Sequence, residues 1–113
     1  MNSSIRLLCE PQRTLAFGSI VAGYTGIGSP LNYPSRMLLF QNLTDALLQF
    51  SMDGVDDNFP LPANGQFILD VSTNSLTNLQ GFFATKGQRF YVKQIEVPTA
   101  GAVYVTSFYG SDV

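Results

Sequence analysis

Hydrophobic residues in this chain recur in short runs separated by turn-forming residues, and no stretch holds the periodicity of an amphipathic helix. Two runs alternate cleanly. Leu48, Phe50 and Met52 fall on one side of an extended chain with Gln49 and Ser51 on the other, and Phe67, Leu69 and Val71 oppose Gln66 and Asp70. Each reads as a strand that buries one face. Ten glycines and six prolines punctuate the runs, and the pattern predicts strands over Ile5–Cys9, Thr14–Ala22, Ser35–Asn42, Ala46–Met52, Gln66–Val71, Gly81–Thr85, Gln88–Glu96 and Ala102–Tyr109.

The turns say how these strands connect. Asp53-Gly54 is a strong hairpin dipeptide. The segment it opens ends in Pro60 and Pro62, which cannot donate ladder hydrogen bonds, so an edge-like or extended connection is expected there. Lys86-Gly87 and Pro98-Thr99-Ala100-Gly101 signal two further hairpins. The expected fold class is all-β: an antiparallel two-sheet β-sandwich, jelly-roll-like, of about eight strands, forming a single domain over residues 1–113. An immunoglobulin-type sandwich is the structural alternative, without the cysteine and tryptophan markers of true immunoglobulin domains.

Only 12% of the residues are charged, about half the usual share, whereas 45% are apolar. The formal net charge of −2 gives no attraction for a polyanion, so a protein surface suits the chain better than nucleic acid. Thr14 to Ser35 carries no charge, yet Gly18, Gly23, Gly26 and Gly28 interrupt it and Pro30 and Pro34 close it, so no membrane span is expected. The beginning of the chain lacks the apolar core of a secretory signal, which points to folding in a reducing cytoplasm. Cys9 then reads as a small buried hydrophobe.

With no histidine and one cysteine, the chain cannot assemble a Ser-His-Asp or Cys-His relay, a thiolate zinc site or an internal disulfide. No enzyme activity and no cofactor are expected. Asp53, Asp56, Asp57 and Asn58 are a candidate calcium loop, but the spacing is not that of an EF-hand, and a turn in which Asp53 and Asn58 bond local amides is the simpler reading. Asp53, Asp57, Asp70 and Glu96 are the carboxylates available for acid and nucleophile pairs. Lys86, Arg89 and Lys93 lie beside Phe90 and Tyr91, a pattern shared with single-strand stacking platforms but more simply a solvated or subunit-facing hairpin. Tyr24, Tyr33 and Tyr109 are candidate sugar-stacking rings. Asn42-Leu43-Thr44 is a glycosylation sequon, relevant only in a secretory pathway.

The last strand carries large side chains on both faces: Val103, Val105 and Tyr109 on one, Ala102, Tyr104 and Phe108 on the other. A small sandwich struggles to bury both, so one outer face or edge is expected to be covered by another chain. The uncharged loop Gly23–Pro34 either folds back on its own sandwich or lies on a partner. The expected interface residues are Tyr24, Ile27, Leu31, Tyr33, Tyr104, Phe108 and Tyr109.

The block from Asn42 to Gly54, continuing through Leu61-Pro62, Phe67-Ile68-Leu69-Asp70 and Asn74, resembles small virion proteins of tailed bacteriophages. So do Lys86–Lys93 and the closing strand Gly101-Ala102-Val103-Tyr104-Val105. Size, acidity and the all-β pattern are similar to the jelly-roll capsid decoration, or cement, proteins of phage heads. That resemblance implies a non-enzymatic structural protein of the virion, assembled in the bacterial cytoplasm. It would bind the major capsid protein or another virion protein as a homodimer or homotrimer and staple neighbouring capsomers, with no nucleic-acid or membrane partner. A tail or head-to-tail component built on the same sandwich is the alternative, and a small carbohydrate-binding module a third reading.

Overall fold

The computed structural model describes residues 6–70 and 86–111. Nine strands run through them: β1 (Arg6–Cys9), β2 (Arg13–Ala16), β3 (Thr25–Gly26), β4 (Met37–Asn42), β5 (Leu48–Ser51), β6 (Phe59–Leu61), β7 (Gln66–Asp70), β8 (Tyr91–Gln94) and β9 (Ala102–Ser111). One sheet has the order β1-β9-β4-β7 with β2 also on β9; the other has the order β3-β8-β5-β6. Every pairing is antiparallel. The β5–β6 hairpin stays within one sheet, while the steps from β2 to β3, β3 to β4, β4 to β5, β6 to β7 and β8 to β9 change sheets. This is the jelly-roll type of sandwich that the strand pattern predicts.

β1 and β2 are two halves of one lane. Cys9 lies opposite Phe108 and Arg13 opposite Val105, so the intervening residues of the lane outnumber those of β9 by one. A bulge at Glu10-Pro11-Gln12 absorbs the extra residue, with the Glu10 amide donating to the Ser107 carbonyl at 3.0 Å. Register with β9 sets Cys9 outward beside Phe108 and Glu10 inward beside Ser107, and the bulge after them lets Arg13, opposite Val105, face inward as well. Cys9 is therefore exposed, its thiol near the Glu10 carbonyl, and not the buried hydrophobe its residue type suggested.

Other expectations shift for equally local reasons. The strand expected over Thr14–Ala22 ends at Ala16, where Phe17–Ser19 forms a 3-10 turn and the chain leaves for the other sheet. Pro98–Gly101 is not a hairpin, because β8 and β9 belong to different sheets. Gly101 makes that crossing at φ +91°, and a Cβ on it would run into the Leu43 carbonyl. β3 arises inside the glycine-rich loop, and the proline-flanked segment becomes edge strand β6. Gly81–Thr85, Val71 and Asn74 lie outside the described residues.

The core is aromatic at its centre. Phe40 of β4 meets Phe90, Phe50 and Phe59 edge-on at centroid distances of 5.1, 6.2 and 5.2 Å. Leu38, Leu48, Val92, Val103 and Val105 are fully buried around it. Each such side chain contributes about 1.5–3 kcal/mol through removal from water.

Candidate protein-binding surface

Strand alternation fixes which side chains leave the core. On β4, Leu38, Phe40 and Asn42 are buried, so Met37, Leu39 and Gln41 face outward; on β9, Val103, Val105 and Ser107 are buried, so Tyr104, Thr106 and Phe108 face outward. Register assembles these into rows. Cys9, Phe108, Met37 and Asp70 form one, Thr106, Leu39 and Ile68 the next, and Thr14, Tyr104, Gln41 and Gln66 a third. Leu7, 60% exposed, extends the apolar area beside Gly110. Among the described outward positions of this sheet, Asp70 at the β7 edge is the only charged one. The result is a nearly charge-free apolar face, the type of patch that marks an interaction site.

The glycine-rich loop takes the fold-back course. Ile27 and Leu31 are buried in the chain's own core, their amides donating to the carbonyls of Phe90 and Gln88 at 2.8 Å. These two residues are thus corrected from interface to interior: an uncharged loop beside an open sandwich end gains more by filling that end than by waiting for a partner. A buried ion pair holds the loop down. Arg13 Nη2 contacts Glu10 Oε1 at 2.8 Å, and Arg13 also donates to the carbonyls of Ser29 and Pro30 at 2.6 and 2.8 Å. Glu10 in turn accepts the amides of Asn32 and Tyr33 at 3.1 and 3.2 Å. Gly28, at φ +63°, lets the loop backbone press against Arg13, whose Cβ lies 2.8 Å from where a Gly28 Cβ would be. Such a pair is tolerated in the interior because its remaining donors and acceptors are satisfied.

This clamp places Tyr33 on Tyr109, ring on ring, at the end of the sandwich. Partial burial is the first cause that pushes the Tyr109 hydroxyl above its ordinary pKa, with the Tyr33 hydroxyl next. Tyr33 stays half-exposed and Tyr104, Phe108 and Tyr109 are partly exposed, so these four expected interface residues remain at the surface. Because the two rings cover one another's inner faces, each keeps one outer face at most for a sugar.

The opposite sheet is polar and already engaged. Tyr24 donates its hydroxyl to Asp57, whose carboxylate also meets Lys93 Nζ at 3.1 Å, and that ammonium sits 4.8 Å from the Tyr24 ring centre. Burial, then the bond to Asp57, drive the Tyr24 pKa well above the usual phenol range; the same bond lowers that of Asp57. Asp53 accepts the amides of Val55 and Asp56 and the Ser51 hydroxyl, which lower its pKa to about 2. Asn58 accepts the Met52 amide at 2.7 Å. These are the turn contacts expected of Asp53 and Asn58, and the Asp53 and Asp57 carboxylates point to separate partners rather than to one cation. No group of three or more metal-ligating side chains occurs among the described residues.

The remaining candidates also separate. Glu96 accepts the Leu47 amide at 2.9 Å, far from the Asp53 turn in register. Arg89 donates to the Gly28 carbonyl at 2.7 Å, Lys93 is paired with Asp57, Lys86 is exposed, and Phe90 is buried, so no basic stacking platform forms. Asn42 of the sequon is fully buried: its amide donates to the carbonyls of Ala46, Leu61 and Pro62, and its oxygen accepts from Thr44. Met37, Leu39 and Ile68 were missed as surface residues. The signal was there, since Met37-Leu38-Leu39-Phe40 and Phe67-Ile68-Leu69 are apolar on both strand faces.

No protein-family model, no curated protein and no solved structure matches the chain.

Proposed function

We propose that the protein is a non-enzymatic structural protein that works by binding other proteins through the outer face of its five-stranded sheet. Its most specific form is a phage capsid decoration protein. The observation that carries the binding role is the row structure of that face: Phe108, Met37, Leu39 and Ile68 adjoin one another with no charge between them. The virion assignment adds the resemblance of the central block to small virion proteins of tailed phages. Low overall charge and two packed antiparallel sheets suit a rigid clip.

The mechanism is linkage. A protein that binds the assembled shell and not its dissociated subunits stabilises the shell by RT ln(1 + [L]/Kd), about 4 kcal/mol per site at a thousandfold excess over Kd. An oligomeric clip strengthens the effect because its second contact is intramolecular.

Cryo-electron microscopy of particles carrying the protein tests the assignment. Many copies spread over the outside of the head, with the five-stranded sheet toward the capsomers, is the expected result. Density confined to a few copies at the tail would instead support the head-to-tail or tail component, and absence from the particle would end the virion reading.

A further inference from the structure

Among the described residues the sandwich has four sheet edges, and three are blunted. β6 carries Pro60 and is followed by Pro62; β3 has two residues; the β1–β2 lane is broken by the Pro11 bulge. β7 differs. It runs five residues without proline or bulge, pairs only with β4 among the described residues, and holds Ile68 at its centre, 58% exposed.

The ladder shows which backbone groups are on offer. The Asn42 amide donates to the Gly65 carbonyl directly opposite, so in antiparallel alternation the groups of Gly65, Phe67 and Leu69 point to β4, and those of Gln66 and Ile68 point away from it. Among the described residues nothing pairs with the outward N–H and C=O of Ile68.

We infer that β7 is a self-pairing edge: two copies of the chain join antiparallel about a two-fold axis through Ile68, merging their five-stranded sheets. The sequence of the strand is self-complementary in that one register. Ile68 meets Ile68 of the second copy and the two exchange N–H and C=O; Phe67, 38% exposed, meets Leu69; Gln66 and Asp70 fall at opposite positions at each end. A two-fold axis normal to the merged sheet relates the two edge strands antiparallel, never parallel. The antiparallel register also continues the uncharged row Thr106–Leu39–Ile68 across the axis into its mate. The partner is therefore a second copy, joined by an edge and leaving the outer face available. This inference stands whether or not that face binds a capsid.

Sedimentation of the full chain over a range of concentrations gives the first readout, with a doubling of mass expected. Ile68→Lys sets two ammonium groups opposite each other on the axis and is expected to return the monomer mass with an unchanged circular dichroism spectrum. In a Cys9→Ser background, Ile68→Cys brings two thiols into a hydrogen-bonded pair with Cα atoms about 5.5 Å apart, inside the disulfide range. Oxidation is expected to give a covalent dimer, while Gln66→Cys, set diagonally away from its mate, gives none. A wild-type chain that stays monomeric at every concentration overturns the inference, as does a dimer that survives Ile68→Lys or cross-links at position 66 in preference to 68.

Discussion

The ring of Tyr33 lies on the ring of Tyr109 with centroids 4.1 Å apart and planes 8° from parallel. One residue comes from the uncharged loop and the other from the last strand, and the contact exists because the Glu10 carboxylate holds the Asn32 and Tyr33 amides. A surface stack thus depends on a buried charge. Tyr33→Ala removes the ring pair and is expected to cost about 0.5–1.5 kcal/mol beyond lost burial, measured by urea unfolding, with the fold intact. A larger loss of affinity for a partner shell than of stability would place the stack in the interface.

Phe108→Asp introduces a charge into the middle of the apolar face, beside Met37 and Cys9. The isolated chain is expected to keep its circular dichroism spectrum and lose binding to assembled shells in a pelleting assay. Loss of the fold with no partner present would show that Phe108 serves the sandwich instead.

Breaking the Glu10–Arg13 pair from one side is expected to be severe. Glu10→Ala leaves the Arg13 guanidinium buried without its anion and should lower unfolding free energy by about 3–5 kcal/mol. Glu10→Gln with Arg13→Met removes both charges and should recover part of that loss. A double variant as unstable as Glu10→Ala would mean that the loop carbonyls, not the charge, set the requirement.

Asn42 links the start of β5 to the end of β6 through its side-chain amide. Asn42→Ala strands several buried groups at once, and each unsatisfied group costs about 1–3 kcal/mol. The melting temperature is expected to fall by more than for any single surface substitution. Expressed through a secretory host, the folded protein should also show no glycan at this sequon by mass spectrometry, since Asn42 is sealed in the core.

Asp53 carries the clearest acid dependence. Its carboxylate is bonded by two amides and a hydroxyl, so its folded pKa of about 2 lies below the ordinary 3.8. A depressed folded pKa contributes stability that is present above the unfolded value and lost as pH falls from about 4 toward 2. Melting curves at pH 5, 4, 3 and 2 should therefore decline less steeply for Asp53→Asn than for the wild type. Equal slopes would assign the acid lability to other carboxylates.

Strand content, the number of layers and the hairpin at Asp53-Gly54 were legible because extended segments bury alternate residues and turn residues have local backbone requirements. The two-sided greasiness of β9 was legible as well, since period two needs no knowledge of neighbours, whereas that of β4 and β7 lay in the same pattern and went unread. What it could not show is which strands adjoin. Pro98–Gly101 looks like a hairpin from either side of the turn, and only the sheet assignment makes it a crossing. Ile27 and Leu31 look like surface anchors until the Arg13 clamp folds their loop inward. Glu10 and Arg13 both face inward because a one-residue bulge, which no local propensity reports, lies between them, and Cys9 faces outward because its lane pairs it with Phe108. Local chemistry determined the elements and their apolar faces; register, bulge and the choice of neighbour, set by contacts far apart in the chain, decided which faces stayed open.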